Sequence, residues 1–344
     1  MKAVVTGGSG FIGTHLIRLL LDRQTQVRVV DIREPSDDVK DRVEYVPTDL
    51  SRPQSLRELF EDVQVVFHLA ANPQLWVRRR GGFGRVNYWG TVQVIDAAAA
   101  AGASRIIHVS TESILARCNQ NELISEKQQE VPYGEVLGPY CLSKWRAERY
   151  AWLSARNGAP VVIVNPTLPL GPGDWRRTPP TQMILDICRG KRPAYVDGYL
   201  NLIDVRDVAI GLLAAAEYGV PGQRYLLGAE NWSIQQLFVT VARLAHVPLP
   251  RWRVPYPLAL LIAYANEFWA DCTGHMPVAT VTGVKLTRRC LHFDTRNSLT
   301  ALRLQPRPLL QTLEQTIDWF RTIGWIPPHA KMTRVASCDG VNNR

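Results

Sequence analysis

The chain has 344 residues, 46% of them apolar and 21% charged, enough for a sizeable core in one large domain or two modest ones. Six scattered cysteines (118, 141, 188, 272, 290 and 338) with no Cys-x-x-Cys pair argue against a disulfide scaffold, and the seven histidines show no ligand spacing, so no metal is expected. The net charge of +9 gathers in short runs, Arg78-Arg79-Arg80, Arg176-Arg177 and Arg288-Arg289, without aromatic interleaving or a helix-turn-helix pattern; this argues against a nucleic-acid partner and leaves an anionic substrate or lipid open.

No signal-peptide pattern precedes the first apolar run, so a cytoplasmic setting is expected, with contact at the periphery of the inner membrane left open. Residues 2–6 predict a strand and 11–22 a helix with an apolar stripe of Phe11, Ile12, Leu16, Leu19 and Leu20. Between them Gly7, Gly8, Gly10 and Gly13 form the close-approach turn that a dinucleotide pyrophosphate requires at a helix N-terminus. Gly7, Gly10, Phe11, Ile12 and Gly13 are therefore candidate cofactor contacts. A second strand over 27–32 carries Asp31, which is placed to accept the adenine ribose hydroxyls and to repel a 2′-phosphate, favouring NAD over NADP; Arg33, two residues on, softens that preference.

The next strand, 43–47, precedes Asp49 and Leu50 at the expected adenine end, and a helix is predicted over 53–61. Strand 63–69 ends in His68, read as a structural residue, followed by Leu69, Ala70 and Ala71, small enough to let a cofactor lie close. Trp76 and Arg79 fall where a loop would cover substrate, and Asn87, in a predicted helix 85–101, is placed to hold the fold beneath the nicotinamide.

Strand 106–110 runs into a polar row in which Thr111 is the first choice, ahead of Ser110, for the hydroxyl that positions a substrate oxygen. Glu112 reads equally as a second proton-transfer group or a loop carboxylate facing solvent. Tyr140 and Lys144, four residues apart in a predicted helix 140–157, share one face, where the ammonium would lower the phenol pKa and hold the nicotinamide ribose. Pro166, just after strand 161–165, completes the expected cofactor contacts.

Strand alternating with helix predicts an α/β fold, a doubly wound, mostly parallel Rossmann-type sheet with a smaller C-terminal substrate-binding region. Residues 1–167 are expected to form the dinucleotide-binding core, rejoined by 200–230, with 168–199 and 231–325 forming the substrate region and 326–344 a flexible tail. Asp174, Trp175 and Asn201 are its candidate substrate contacts, and helices are predicted at 180–189, 233–245, 256–270 and 309–322. The nearly continuous apolar stretch 257–270 is too short to span a bilayer and reads either as a core or lid helix or as an interfacial one.

Thr6-Gly-Gly-Ser-Gly-Phe-Ile-Gly13, His68-Leu-Ala-Ala71, Asn87-x-x-Gly-Thr91 and Tyr140-x-x-x-Lys144 together resemble the extended short-chain dehydrogenase/reductase family, which includes NAD-dependent nucleotide-sugar epimerases and dehydratases and their dihydroflavonol-reductase and 3β-hydroxysteroid-dehydrogenase relatives. The resemblance implies a catalytic set of Thr111, Tyr140 and Lys144, and a homodimer built on two helices, to which Trp89, Val92, Ile95, Trp145 and Trp152 would contribute. Pro193-Ala-Tyr-Val-Asp197, Asn201-Leu-Ile-Asp204, Gly222–Asn231 and Arg307-Pro308 look most like the hopanoid-associated sugar epimerases, which implies a sugar, nucleotide-sugar or isoprenoid-lipid-linked substrate. The dehydratases' paired Asp-Glu is here Glu112-Ser113, so sugar dehydration is disfavoured. What the resemblance implies is an NAD(P)-dependent oxidoreductase or epimerase at a secondary alcohol or ketone, with a net-redox, 3β-hydroxysteroid-dehydrogenase-like reductase as the alternative and a non-catalytic dinucleotide-binding protein as a further one.

Overall fold

Short valine- and isoleucine-rich segments cannot leave both faces in water, and in the computed structural model they are covered by helices on each side. The structure describes residues 1–52, 56–116, 123–128, 131–289 and 291–328. The first half contains β1 (Lys2–Thr6), α1 (Phe11–Asp22), β2 (Gln26–Asp31), β3 (Glu44–Pro47), β4 (Val65–His68), α2 (Gly81–Phe83), α3 (Gly90–Ala100), β5 (Arg105–Val109), α4 (Gly138–Arg156) and β6 (Val161–Pro166). Then come β7 (Leu168–Leu170), α5 (Pro179–Cys188), β8 (Ala194–Tyr195), β9 (Tyr199–Asp204), α6 (Val205–Tyr218), β10 (Arg224–Leu227), β11 (Glu230–Ser233) and α7 (Ile234–Ala245). The remainder is β12 (Trp252–Arg253), α8 (Tyr256–Thr273), α9 (Val281–Leu286), α10 (Arg296–Ala301) and α11 (Leu309–Thr322).

Seven strands form one parallel sheet in the order β10-β6-β5-β4-β1-β2-β3. The chain winds outward in opposite directions from β1, so a crevice opens at the carboxyl ends of β1 and β4, where dinucleotides bind in such sheets. One face of the sheet is packed by α1 and α6 through Leu16, Ile17, Val208 and Leu212, the other through Val94, Ile95 and Ala151 of α3 and α4. A second core joins α5, α7 and α11 to the small sheet β11-β9-β7 through Leu185, Leu237, Val241, Leu313 and Phe320. The two cores are tied by Asp204, which caps α6 and accepts from Thr312 Oγ1 at 2.8 Å, and by the ion pair of Asp207 with Arg307.

The elements depart from the sequence reading in definite places. Of the helix predicted at 53–61, only a single 3₁₀ turn, Arg57–Phe60, forms; it buries Phe60 and is followed by Asp62 at φ +59°, and residues 53–55 lie outside those described. The helix predicted at 85–101 is α2, a π-helical turn over Gly84–Trp89, and α3. Helices α6, α9 and α10 were not anticipated; α9 and α10 have only six residues each, too few to show a period. Ile326, expected in a loose tail, is buried against the second core; residues 329–344 lie outside those described. Of the proposed dimer contacts, Ile95 is consumed inside the core whereas Trp89 and Trp152 are exposed.

Candidate active site

The turn between β1 and α1 is built by close approach. Gly7 sits at φ +71°, and a Cβ there would fall 2.6 Å from the Cα and N of Ala70. Gly13 has no room either, since its Cβ would meet the carbonyl oxygens of Gly7 and Gly8 at 2.6 Å. Helix α1 then starts at Phe11 with no side-chain cap and no acid in its first turn. The first-turn N–H groups of Phe11, Ile12 and Gly13 lack intrahelical acceptors and carry the positive end of the helix dipole, which suits an anion. Gly7→Ala is expected to destabilise the protein by about 2 kcal/mol or more, from left-handed strain plus the clash, and to weaken NAD binding with it. Gly81→Ala, where a Cβ meets nothing, is the control. Thermal denaturation and an NAD titration read both, and an unchanged Gly7→Ala variant would contradict this loop.

At the end of β2, Asp31 accepts the backbone N–H of Ser9 at 3.1 Å and of Arg33 at 3.2 Å, which fixes the carboxylate and leaves it lone pairs for further donors. Asp49 accepts the Ser51 N–H at 2.9 Å and pairs with Arg52; the Ser51 hydroxyl, and then that N–H, hold its carboxyl below the usual range. Leu50 is buried against Gly90, and its carbonyl accepts from Gln93 Nε2 at 3.2 Å. Leu69 and Ala70 are held against β1 by Thr6, and Ala71 follows them, half-buried. His68 is fully enclosed between the hydroxyls of Thr6 (2.7 Å) and Thr91 (2.9 Å), and burial lowers its pKa to about 3, so it is neutral at ordinary pH. Asn87, presented by the π-helical turn, accepts the Asn72 N–H at 2.7 Å and donates to Ser143 Oγ at 2.9 Å, tying the loop after β4 to α4.

The polar groups at the end of β5 converge with the start of α4. Thr111 Oγ1 donates to Glu112 Oε2 at 2.9 Å and lies 2.9 Å from Ser113 Oγ, close enough to the Tyr140 phenol to oppose the rise that burial gives its pKa. The side chains of Tyr140, Thr111 and Glu112 thus stand together. Glu112 is buried, not turned to solvent, and burial pushes its pKa up to about 7 against the hydrogen bonds from Thr111 and backbone. Ser110 is also buried, and among the described residues its hydroxyl has no partner.

Tyr140 is half-buried with its ring edge-on to Phe83, and the expectation of a lowered phenol pKa is corrected here: burial raises it, with Cys141 and Glu112 adding to the effect and Thr111 opposing it. The Lys144 ammonium donates to the Val109 carbonyl at 2.7 Å, and burial lowers its pKa to about 8, opposed by Glu148. Two further residues, not singled out in the sequence, brace this centre. Asn165 at the end of β6 donates to the Thr111 carbonyl at 2.9 Å and to Glu148 Oε2 at 2.7 Å, while Glu148 is paired with Arg224 at 2.5 Å. An asparagine between apolar Val161–Val164 and Pro166, inside a buried strand, was the available signal.

Other candidates lie elsewhere. Asp174 is fully buried, its carboxylate accepting the N–H of Arg176 and both the N–H and hydroxyl of Thr178, so it shapes the entry to α5 and has no oxygen aimed at a substrate. Trp175 is 61% exposed and packs edge-on to Trp319 and Trp325. Their loop instead meets α1, where His15 Nε2 lies 3.0 Å from the Pro172 carbonyl oxygen, and carries Arg176 into the field of Asp31 and Arg33. Trp76 is buried and donates to Asp271 of α8 at 3.1 Å, Arg79 is exposed, and Asn201 is buried in β9 with its amide donating to Asn231 Oδ1 at 2.9 Å. Pro166 is buried at the end of β6.

A parallel doubly wound sheet, an anion-ready glycine turn at its switch point, and a Tyr/Lys pair with a threonine at the end of the fifth strand define a nicotinamide-dependent oxidoreductase of the Rossmann class. The chain belongs to the NAD dependent epimerase/dehydratase family, whose model matches residues 3–228. It is similar to a putative dihydroflavonol 4-reductase of Synechocystis sp., 34% identical over 329 residues, 94% of this chain and 95% of that protein. It is also similar to sterol demethylase protein B of Methylococcus capsulatus, 29% identical across 95% of this chain and all of the relative (100%). Among solved structures, that of gox2253 superposes with a TM-score of 0.81 at 32% identity, covering 94% of this chain and 99% of the other.

Proposed function

We propose that this protein interconverts a secondary alcohol and a ketone on a bulky, isoprenoid- or steroid-like lipid, with net oxidation or reduction of NAD. The observation that carries the reading is the cluster of Tyr140 with the hydrogen-bonded pair Thr111 and Glu112, and the Lys144 ammonium on the next turn of α4. Gly7, Gly10, Phe11, Ile12 and Gly13 would hold the pyrophosphate, Asp31 the adenine ribose, and Lys144 the nicotinamide ribose; NAD then supplies or accepts the hydride. Tyr140 holds the proton that the substrate oxygen gains on reduction or loses on oxidation. Thr111 hands that proton between the phenol and Glu112, whose pKa of about 7 leaves it able to give or take at neutral pH. A raised phenol pKa makes Tyr140 a proton donor at rest, which suits ketone reduction. The names of the two relatives, a dihydroflavonol reductase and a sterol demethylase protein, support a large ring-bearing substrate over a small alcohol.

A second reading, epimerisation of a sugar centre through a transient ketone, is favoured by Glu112, since inversion uses a second proton-transfer group within the same site. Turnover against isoprenoid alcohols, steroid-like ketones, lipid-linked sugars and nucleotide sugars separates the two. Net NADH change with a lipid alcohol or ketone supports the first; inversion without net NADH change replaces it with the second. The same reading includes a homodimer through the α3–α4 side, supported by exposed Trp89 and Trp152.

Cofactor choice follows from one carboxylate against two guanidinium groups. Asp31 repels a 2′-phosphate, whereas Arg33 and Arg176 beside it attract one, so NAD is expected to bind more tightly than NADP by a margin that Asp31→Ala reverses. Fluorescence titration of both cofactors on parent and variant checks this. A parent that prefers NADP contradicts the assignment.

A further inference from the structure

Helix α8 carries an apolar face that the protein does not cover. Its inward side is made of small residues: Ala259 and Ala263 pack with Val284 of α9, and Ala270 is buried. Its outward side presents Leu258, Leu261, Ile262, Phe268 and Trp269, with Phe268 71% and Trp269 67% exposed. These positions recur at helical spacing and share one face along the helix, about 27 Å long at 1.5 Å per residue. The two acids of the helix are turned away from that face: Glu267 accepts the Val281 N–H at 2.7 Å, and Asp271 accepts from Trp76 and pairs with Arg80. An apolar stripe of this extent on the surface is a site of interaction.

The rim of the stripe indicates what it meets. Lys285 and Arg288 extend over the rings of Tyr264 and Tyr256, Arg78 lies against the C-cap Gly274, and exposed Trp252 stands between Arg251 and Arg253 near the N-terminal end. Tryptophan, tyrosine and basic side chains ringing an apolar strip match the bilayer interface, where aromatic rings lie at headgroup depth and cations meet anionic lipid. No helix among the described residues is long and apolar enough to cross a membrane, so the geometry is that of a helix lying in the surface plane.

We infer that α8 docks this protein onto an anionic lipid bilayer. Helix α8 adjoins the candidate active site through its inward side: Trp76 of the loop after β4 is bonded to Asp271 of α8, and Thr282 of α9 packs on Gly138, two residues before Tyr140. Docking therefore brings the Tyr140 site near the lipid surface, a use that rests on the lipid-substrate reading, whereas the docking itself rests on the surface alone.

The test uses the purified full-length chain with vesicles of phosphatidylcholine, alone or mixed with phosphatidylglycerol, and contains no substrate. The chain is expected to co-sediment with the anionic vesicles, less so as salt rises, and its tryptophan emission to shift to the blue on binding. Phe268→Ser with Trp269→Ser should weaken that binding at least tenfold, since both exposed rings lose their apolar burial in the bilayer, without lowering Tm. Arg251→Gln with Arg288→Gln should remove the preference for anionic vesicles. Absence of binding to either vesicle overturns the inference. So does a parent dimer that the Phe268/Trp269 variant converts to a monomer without any vesicle binding, which assigns the face to a second copy. A soluble ketone or nucleotide-sugar substrate found in the turnover panel would overturn the lipid reading while leaving vesicle binding intact.

Discussion

Replacing Tyr140 by Phe is expected to lower turnover by about 10²-fold to 10⁴-fold, the usual consequence of removing a positioned acid–base group, while the fold and NAD affinity survive. The separation is possible because the ring and the hydroxyl do different things. The ring packs edge-on to Phe83 and borders the cluster of Cys141, Ile114 and Leu115, contacts that Phe retains. The hydroxyl lies beside Thr111, and Thr111 keeps Glu112 and Ser113 when it is gone, so the stability loss should stay near or below about 1 kcal/mol. Lys144→Ala should behave differently, reducing NAD affinity along with turnover, because its ammonium is the proposed ribose donor. Single-turnover kinetics with a cofactor titration distinguish the two patterns. A Tyr140→Phe variant that turns over at the parent rate, with chemistry rate-limiting, would move the proton-transfer role to Glu112.

The dinucleotide half of this fold is legible in the sequence because each of its features is local. A valine-rich strand, a glycine turn and an amphipathic helix lie within residues 2–22, and the structure places them within a residue of the pattern. The Tyr140/Lys144 pair is legible for the same reason, a single helix face fixing both. What could not be read is set by long-range packing. Asp174 looks like a substrate-loop acid because its neighbours Gly173 and Trp175 are loop residues; only the fold reveals that Thr178 and Arg176 consume its oxygens. Arg176 gains its place beside Asp31, distant in the sequence, only because Pro172 meets His15 of α1. The lowered phenol pKa expected from a Tyr/Lys spacing fails for a related reason: spacing reports a neighbouring charge but not how much water the fold removes, and here burial is the larger effect.

Glu112→Gln is expected to make the protein more stable and less active, with the stability gain confined to one pH range. Burial raises the Glu112 pKa to about 7 from its usual 4.5. Between these values the folded state holds a proton that the unfolded state has released, so stability falls as pH rises from about 4.5 to about 7 and the full penalty persists above. A shift of that size corresponds to about 3 kcal/mol, one pKa unit being about 1.4 kcal/mol. His68 and His108 act in the opposite sense: burial lowers both, so their contribution rises with pH up to about 6.5 and would mask Glu112 in the parent curve alone. The difference between variant and parent cancels the histidines. Denaturant unfolding should show the two proteins alike near pH 4 and the variant more stable by up to about 3 kcal/mol at pH 8. In the rate profile, the inflection near pH 7 should vanish with the carboxyl, since the proposed proton path from Tyr140 through Thr111 then ends on an amide that cannot take the proton. Equal stability at pH 8 would mean that Glu112 is not the buried carboxyl seen here, and an unchanged rate profile would remove it from the proton path while leaving Tyr140 in place.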